Sequence, residues 1–317
     1  MVNGILNIYK EKGYTSHDVV ACLRRIVGQK RIGHTGTLDP EAEGVLPVCL
    51  GQATRVCDML TENDKSYEAV LLLGVTTDTQ DITGTVLRTR STDHLTDERV
   101  IECIRDYIGS YDQIPPMYSA VKVNGKKLYE LARQGKTVER AGRRVTLHDI
   151  RILDIDLPRV RMAVDCSKGT YIRTLCHDIG ESLGAGGCME SLLRTRAGQF
   201  SLAESIRLAQ AAEAAAKGQL GQYLIPTDKV FSGMRALVLS GRQIQLARNG
   251  NPFSMDQMAA SPGKGGTDPE AAPGEQFRVY DAEGRFIAVY HYDSGKEQFR
   301  ITKMFFDPSE TDFKKEG

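Results

Sequence analysis

Two hydrophobic periods are interleaved along this chain, and their order restricts the fold more than any other property. Tyr67, Ala69, Leu71 and Leu73 recur at every second position, as do Val160, Met162, Val164 and Cys166. That period predicts strands with one face turned inward, and Gly4–Tyr9 adds a short apolar strand near the N-terminus. Helical spacing takes over at Val19, Leu23, Ile26 and Val27, at Val100, Ile104, Tyr107 and Ile108, and at Ile172, Leu175, Cys176, Ile179 and Leu183. The first of these helices can be capped by Thr15 or Ser16 and stops at Gly28. The second spans Thr96–Ile108 before Gly109, and the third is closed by Gly184. Ser201 and Glu204 form a capping-box pattern ahead of an Ala-rich helix that reaches Lys217 and Gly218. The elements lack the regular β-α-β-α count of a doubly wound sheet, so the pattern predicts an α+β fold.

The 317 residues correspond to about two domains. Ser254–Gln276 is rich in Gly, Pro and Ala and predicts a flexible insertion. Beyond it, Phe277–Tyr280 and Phe286–Tyr290 flank Asp281-Ala282-Glu283-Gly284, a hairpin signal. A β-rich C-terminal module over Gly233–Asp307 follows, with 308–317 as a tail. No apolar run approaches the ~20 residues of a membrane helix, and the N-terminus lacks the apolar core of a secretory signal. A soluble, cytoplasmic protein is expected.

Several kinds of chemistry lose their usual support. There is no G-x-x-x-x-G-K-[ST], and Gly184-Ala185-Gly186-Gly187 fails the G-x-G-x-x-G test because Met189 takes the last glycine position. The six histidines show neither H-E-x-x-H nor Cys/His ligand spacing, so neither metal nor cofactor is expected. The seven cysteines form no C-x-x-C pair, which predicts reduced thiols, mostly buried. Cys176 and His177 are assigned to a buried helix. Net charge is zero, yet Lys122–Arg144 carries eight basic side chains against two acidic ones. Such a stretch is either a solvated face or a footprint for phosphates.

The densest signal lies in Gly33–Pro47, which packs three Gly, two Pro, one His and three carboxylates into fifteen residues. Backbone restraint of this kind can hold one side chain rigidly for chemistry. A structured loop with a short helical piece is expected here. Asp39 as the cap of that helix, with Pro40 at its first position, is the alternative. The residues alone do not choose among Asp39, Glu41 and Glu43.

Gly33–Gly51 (GHTGTLDPEAEGVLPVCLG) closely resembles the signature loop of the TruB family of pseudouridine synthases. Lys10–Ser16 (KEKGYTS), Lys65–Gly74 (KSYEAVLLLG), Gln113–Tyr129 (QIPPMYSAVKVNGKKLY), Cys166–Thr174 (CSKGTYIRT) and Ser191–Thr195 (SLLRT) follow the family pattern in the same order. The likeness covers about residues 3–232. One departure is Glu11, where the family usually has Pro after the lysine. The resemblance implies a mixed, largely antiparallel sheet with flanking helices in a catalytic domain over 1–232, carrying a basic RNA-gripping insertion at about 110–144. It also implies a small PUA-like RNA-binding domain over 233–307.

By resemblance the activity is conversion of uridine 55 in the tRNA T-loop to pseudouridine, without cofactor or metal and without a protein partner, by a monomer. Asp39 is then the catalytic carboxylate, either attacking the sugar or removing a proton. Arg173 pairs with it, and a nearby cation should keep its pKa low. Tyr67 stacks on the extruded base and can shuttle the C5 proton. Leu192 packs the other face of the uracil, Tyr171 shapes the pocket floor, and His34 fills the space left by flipped nucleotides. Lys10, Lys126, Lys127, Arg143 and Arg144 complete the substrate-binding set. Two alternatives are a non-catalytic tRNA-folding chaperone and an RNA-guided synthase subunit.

Overall fold

The computed structural model describes residues 1–254 and 271–307. Most of the expected insertion at 254–276, and all of the tail at 308–317, lie outside the described residues. In chain order the first half comprises β1 (Gly4–Lys10), α1 (Ser16–Val27), β2 (Ile32–His34), β3 (Glu43–Leu50), α2 (Cys57–Thr61), β4 (Lys65–Leu73), β5 (Val75–Thr77), β6 (Val86–Thr89), α3 (Asp97–Arg105), β7 (Gly109–Gln113), β8 (Lys122–Val123), β9 (Lys126–Lys127), α4 (Leu128–Ala132) and β10 (Arg143–Asp156). The remainder comprises β11 (Arg159–Cys166), α5 (Ile172–Ser182), β12 (Gly187–Ala197), β13 (Phe200–Ser201), α6 (Leu208–Ala216), β14 (Arg235–Leu239), α7 (Gly241–Arg248), β15 (Phe253–Ser254), β16 (Gln276–Asp281), β17 (Phe286–Asp293) and β18 (Gln298–Met304).

The chain forms two compact units. The larger comprises Leu6–Val48 and Cys57–Tyr223; the smaller gathers Met1–Ile5, Cys49–Val56 and the described residues of Leu224–Gly317. In the smaller unit Ile5 and Ile225 exchange two backbone hydrogen bonds of 2.9 Å, and Arg55 donates to the Met304 carbonyl at 2.8 Å. Non-local pairing therefore draws N-terminal residues into a unit that is otherwise C-terminal in sequence.

A nine-stranded sheet orders its strands β1-β3-β12-β4-β11-β10-β7, with β2 on β3 and β13 on β12. The pairs β12/β4, β4/β11, β11/β10 and β10/β7 are antiparallel, and β3/β12 is parallel. The two-residue period of β4 buries Lys65, Tyr67, Ala69, Leu71 and Leu73 on one face. On β11 it buries Val160, Met162, Val164 and Cys166. Leu175, Cys176 and Ile179 of α5 join these residues in one apolar cluster, as do Val100 and Ile104 of α3. Each fully buried Leu or Ile contributes about 1.5–3 kcal/mol. None of the seven cysteines is in a disulfide, and four are buried.

Local signals set both ends of α1 and the start of α3. Thr15 and Asp18 form a capping box at α1, and Gly28 ends it at φ 69°. Thr96 caps α3, which ends at Arg105, earlier than the apolar stripe suggested. Two expectations need correction. The Ala-rich helix begins at Leu208, because Ile206 exchanges backbone bonds with β1, from its N–H to Asn7 O (2.9 Å) and from the Tyr9 N–H to its carbonyl (2.8 Å). Tertiary pairing overrides the Ser201–Glu204 signal, although those side chains still meet at 2.8 Å. Within 33–50 there is no helical piece, and a short 3-10 helix begins only at Gly51. β2 and β3 flank a loop over 35–42, so Asp39 caps no helix.

In the smaller unit a five-stranded sheet runs β14-β16-β17-β18-β15. The expected hairpin is β16–β17, and Phe253, Phe277, Tyr290 and Phe299 fill its core. No helix among the described residues is long and apolar enough to cross a membrane.

Candidate active site

The loop between β2 and β3 is fastened at both its base and its tip. At the base, Thr35 donates its N–H and hydroxyl to the Pro47 carbonyl at 3.1 and 3.3 Å. At the tip, the residues flanking Asp39 are held by the turn between β1 and α1. The Ser16 hydroxyl accepts the Leu38 N–H at 2.9 Å and donates to the Leu38 carbonyl at 3.2 Å. The Pro40 carbonyl accepts from Gly13 N–H (2.9 Å) and Lys10 Nζ (3.1 Å). Lys10 also donates to the carbonyls of Tyr14 (2.7 Å) and Glu11 (3.2 Å). All three ammonium protons are thereby engaged and the residue is fully buried, so Lys10 reaches a ligand only through the loop it supports. Burial lowers its pKa to about 8, with the Asp39 charge opposing that shift.

Arg194 braces the other side. It is the largest fully buried side chain among the described residues, and its Nε donates to the Val45 carbonyl at 2.6 Å. Its terminal nitrogens lie 3.5 Å from the carbonyls of Thr37 and Gly36. Gly44 packs against the Arg194 backbone at φ 104°, where a Cβ would sit 2.2 Å from the Arg194 carbonyl oxygen. Only glycine meets both demands.

Asp39 then faces Arg173, the second residue of α5. One guanidinium nitrogen, Nη2, lies 3.3 Å from both carboxylate oxygens of Asp39 and donates to the Tyr118 carbonyl at 2.7 Å. Nη1 lies 3.8 Å from Asp81. The Arg173 side chain is 6% exposed and that of Asp39 is 37% exposed, so the carboxylate keeps an open edge while the cation is enclosed. The expected low pKa of Asp39 is not what results. Desolvation raises it above the ordinary value and Asp81 adds to the rise, outweighing the pull of Arg173 and Lys10.

Tyr67 is buried on β4, cross-strand from Arg194 on β12. Burial raises its hydroxyl pKa, with the nearby Arg194 charge opposing, so the phenol is protonated at neutral pH. Leu192 pairs with Ala69 and shares the apolar cluster with Tyr67 and Leu38. Tyr171 is the N-cap residue of α5, its ring 5.9 Å from the Arg173 guanidinium. His34 ends β2 and meets His17 edge-on at 5.3 Å. Burial first, and His17 second, lower its pKa, so its ring is neutral at pH 7. The structure thus places Asp39 and Arg173 in direct contact, with Tyr67 and Leu192 in the adjoining apolar wall.

The basic residues lie apart on other elements. Lys126 and Lys127 form β9, joined to β8 by a turn at Asn124 (φ 49°) and Gly125 (φ 81°). Arg143 and Arg144 open β10 and pair with Gln113 and Asp112 of β7, so they belong to the large sheet. Arg144 also lies 3.6 Å from the Asp112 carboxylate.

Residues 24–172 match the family description "TruB family pseudouridylate synthase (N terminal domain)", and residues 173–232 match "tRNA pseudouridylate synthase B C-terminal domain". The chain belongs to the TruB family. A relative named tRNA pseudouridine synthase B from Lachnoclostridium phytofermentans is 50% identical over 312 residues, covering 96% of this chain and 100% of the relative. Another of that name, from Alkaliphilus oremlandii, is 49% identical over 310 residues, covering 96% and 99%. Among solved structures, a Cbf5-Nop10-Gar1 complex aligns at TM-score 0.71 and 25% identity, over 96% of this chain and 86% of that one. A structure of an H/ACA RNP bound to a substrate RNA containing 2′-deoxyuridine gives 0.68 and 23%, over 96% and 85%.

Within this TruB-family site, Asp81, Tyr118 and Arg194 were not singled out from the sequence, and Ser16 only as a cap candidate for α1. Asp81 sits in a threonine-rich turn whose hydroxyls at Thr79 and Thr83 donate to its Oδ1 at 2.8 and 2.6 Å. Ser16 and Arg194 lie inside resembling motifs, yet their partners are distant in sequence. Tyr118 contributes a carbonyl, which any residue type supplies. Among the described residues no cluster of three or more His, Cys, Asp or Glu side chains is placed to hold a metal.

Proposed function

We propose that this chain isomerises uridine 55 in the T-loop of tRNA to pseudouridine. The C1′–N1 glycosidic bond breaks, the uracil turns, a C5–C1′ bond forms, the C5 proton leaves, and N1 takes up a proton. No atom is gained from outside except in exchange with water, so the reaction is an intramolecular transfer. The observation that carries the reading is the Asp39 carboxylate, held at 3.3 Å by an enclosed guanidinium while keeping an open edge.

Each residue has a role consistent with its surroundings. Asp39 acts at the sugar, as nucleophile or as base, and must be ionised for either. Burial works against that state, and the charges of Arg173 and Lys10 favour it. Tyr67 and Leu192 offer an apolar wall for the uracil, and the Tyr67 hydroxyl is the group for the C5 proton. Tyr171 shapes the pocket floor. A stacked T-loop base must be extruded to reach this site, at a cost of a few kcal/mol, and His34 fills the space left behind. A neutral histidine is suited to packing among bases. Lys126, Lys127, Arg143 and Arg144 grip backbone phosphates, which positions the RNA without reading its sequence. In this division of labour residues 1–232 carry the chemistry and the module over 233–307 adds RNA contacts, in a monomer acting on tRNA in the cytoplasm.

The full-length relatives named for tRNA favour bare tRNA over a guided substrate. The test is tritium release from C5-labelled uridine in unmodified tRNA. Turnover by the wild-type chain alone is expected, with none from Asp39→Asn. Equal turnover by the variant would remove Asp39 from its role, and no turnover without a guide RNA would favour the guided reading.

A further inference from the structure

Arg173 owes its position to more than Asp39. Its shortest contact is the 2.7 Å bond to the Tyr118 carbonyl, against 3.3 Å to the carboxylate. The start of α5 needs outside support, because the side chain of its N-cap residue Tyr171 makes no capping bond. That support comes from Gln113, 1% exposed at the end of β7. Its Oε1 accepts the Tyr171 N–H at 2.7 Å, and its Nε2 donates to the Tyr171 carbonyl at 3.0 Å and to the Tyr111 hydroxyl. The two ends of the amide are not interchangeable, since the peptide N–H needs an acceptor and the carbonyl a donor. The same Tyr171 carbonyl accepts the N–H groups of Thr174 and Leu175, both at 3.1 Å, which are the first bonds of the helix.

Resting on the activity proposed above, we infer that Gln113 is a positioning residue for that reaction, bracketing the Tyr171 peptide so that Arg173, two residues on, is delivered to Asp39. Gln113 and Tyr118 belong to one short stretch that includes Pro115 and Pro116, whose fixed φ angles stiffen it. This stretch therefore holds both the backbone that carries the guanidinium and the guanidinium itself. It also leads directly into β8 and β9 with their lysines. The requirement is geometric: an apolar side chain of equal size fills the space but leaves a half-buried peptide N–H without its acceptor and the helix start free to shift.

The consequence at Asp39 distinguishes positioning from general stability. The charged and titratable groups facing its carboxylate are Arg173 from α5, Asp81 from the turn after β5, Lys10 from β1 and Tyr67 from β4. Of these, only Arg173 is held through Gln113. A displaced Arg173 lowers the Asp39 pKa less, so the acid limb of the rate profile moves to higher pH.

The experiment is single-turnover tritium release with saturating C5-labelled tRNA, from pH 5 to pH 9, on wild type, Gln113→Met and Gln113→Glu. Gln113→Met is expected to slow the chemical step by about 30-fold, to keep tRNA Kd within about threefold, and to raise the acid limb by about half a pH unit. Gln113→Glu retains the bond to the Tyr171 N–H and is expected to lose less rate while shifting the limb in the same direction. If Gln113→Met does not fold, the rate of Gln113→Glu at pH 9 decides, above the acid limb, where the added carboxylate no longer acts through the Asp39 charge state; a wild-type rate there would overturn the inference. A wild-type rate, or a slower rate with an unmoved acid limb, would overturn the inference. Absence of tritium release from wild type would instead remove the underlying activity.

Discussion

The loop around Asp39 and the segment Lys122–Arg144 share a high density of charge and are built in opposite ways. In the loop and its flanks, backbone groups on both sides of Asp39 are engaged by protein: Leu38 by Ser16, Pro40 by Gly13 and Lys10, Val45 by Arg194, and Thr35 by Pro47. Its supporting cations are buried. In the basic segment Lys122, Lys126, Arg133, Lys136, Arg143 and Arg144 are exposed, and the Arg144 ion pair is open to solvent on both sides. Such surface pairs contribute roughly 0–1 kcal/mol. The difference teaches where preorganisation is placed. On the proposed function, the carboxylate is oriented before substrate arrives, whereas charges that grip phosphates work best when water and counterions are all they have to release.

That contrast breaks first at single residues in the loop. Asp39→Asn is expected to lower single-turnover tritium release by more than about 1,000-fold, a barrier increase of about 4 kcal/mol, with tRNA binding retained. Gly44→Ala forces a Cβ to 2.2 Å from the Arg194 carbonyl oxygen at a positive φ. It should destabilise the larger unit by about 3 kcal/mol or more in urea unfolding. In the basic segment the effect is distributed. Replacing Lys126, Lys127, Arg143 and Arg144 together by Gln is expected to weaken tRNA binding about 100-fold and to flatten the log Kd against log salt slope by about 3, while unfolding is little changed. An unaltered slope would count against the phosphate grip and erase the contrast.

A further expected effect concerns pH and Lys10. Its folded pKa of about 8 lies below the ordinary 10.5. Between those values the unfolded chain binds more protons than the folded one, so wild-type stability rises with pH across that window. Lys10→Met lacks this contribution, and the Tm of wild type should gain on that of the variant between pH 8 and pH 10.5. A constant gap would mean that Lys10 is not desolvated in the folded protein.

Legibility followed the range of the interactions. The period-two strands β4 and β11 and the Thr15 and Thr96 caps could be read because their causes lie within a few residues. The Ala-rich helix was placed too early because its true start depends on Ile206 bonding to β1, about 200 residues away in sequence. The site shows the same division. Asp39 and Arg173 came from the resemblance, and their contact is in the structure. The roles of Lys10 and Arg194 as braces were hidden because a buried cation and a solvated one look alike in sequence, and that of Ser16 because its partner Leu38 is 22 residues away. The sign of the Asp39 shift was misjudged for a related reason: proximity to Arg173 could be inferred, but not the desolvation that exceeds it.

By itself the sequence determined the α+β class, the strands and helices with strong periodicity, and the family to which the chain belongs, because these rest on local patterns and on residues met in order. The tertiary structure alone decided which carbonyls Lys10 and Arg194 hold, that Gln113 brackets the start of α5, and that Asp39 is raised rather than lowered in pKa. Those outcomes depend on burial and on contacts between residues far apart in the chain, and neither quantity is carried by any single stretch of it.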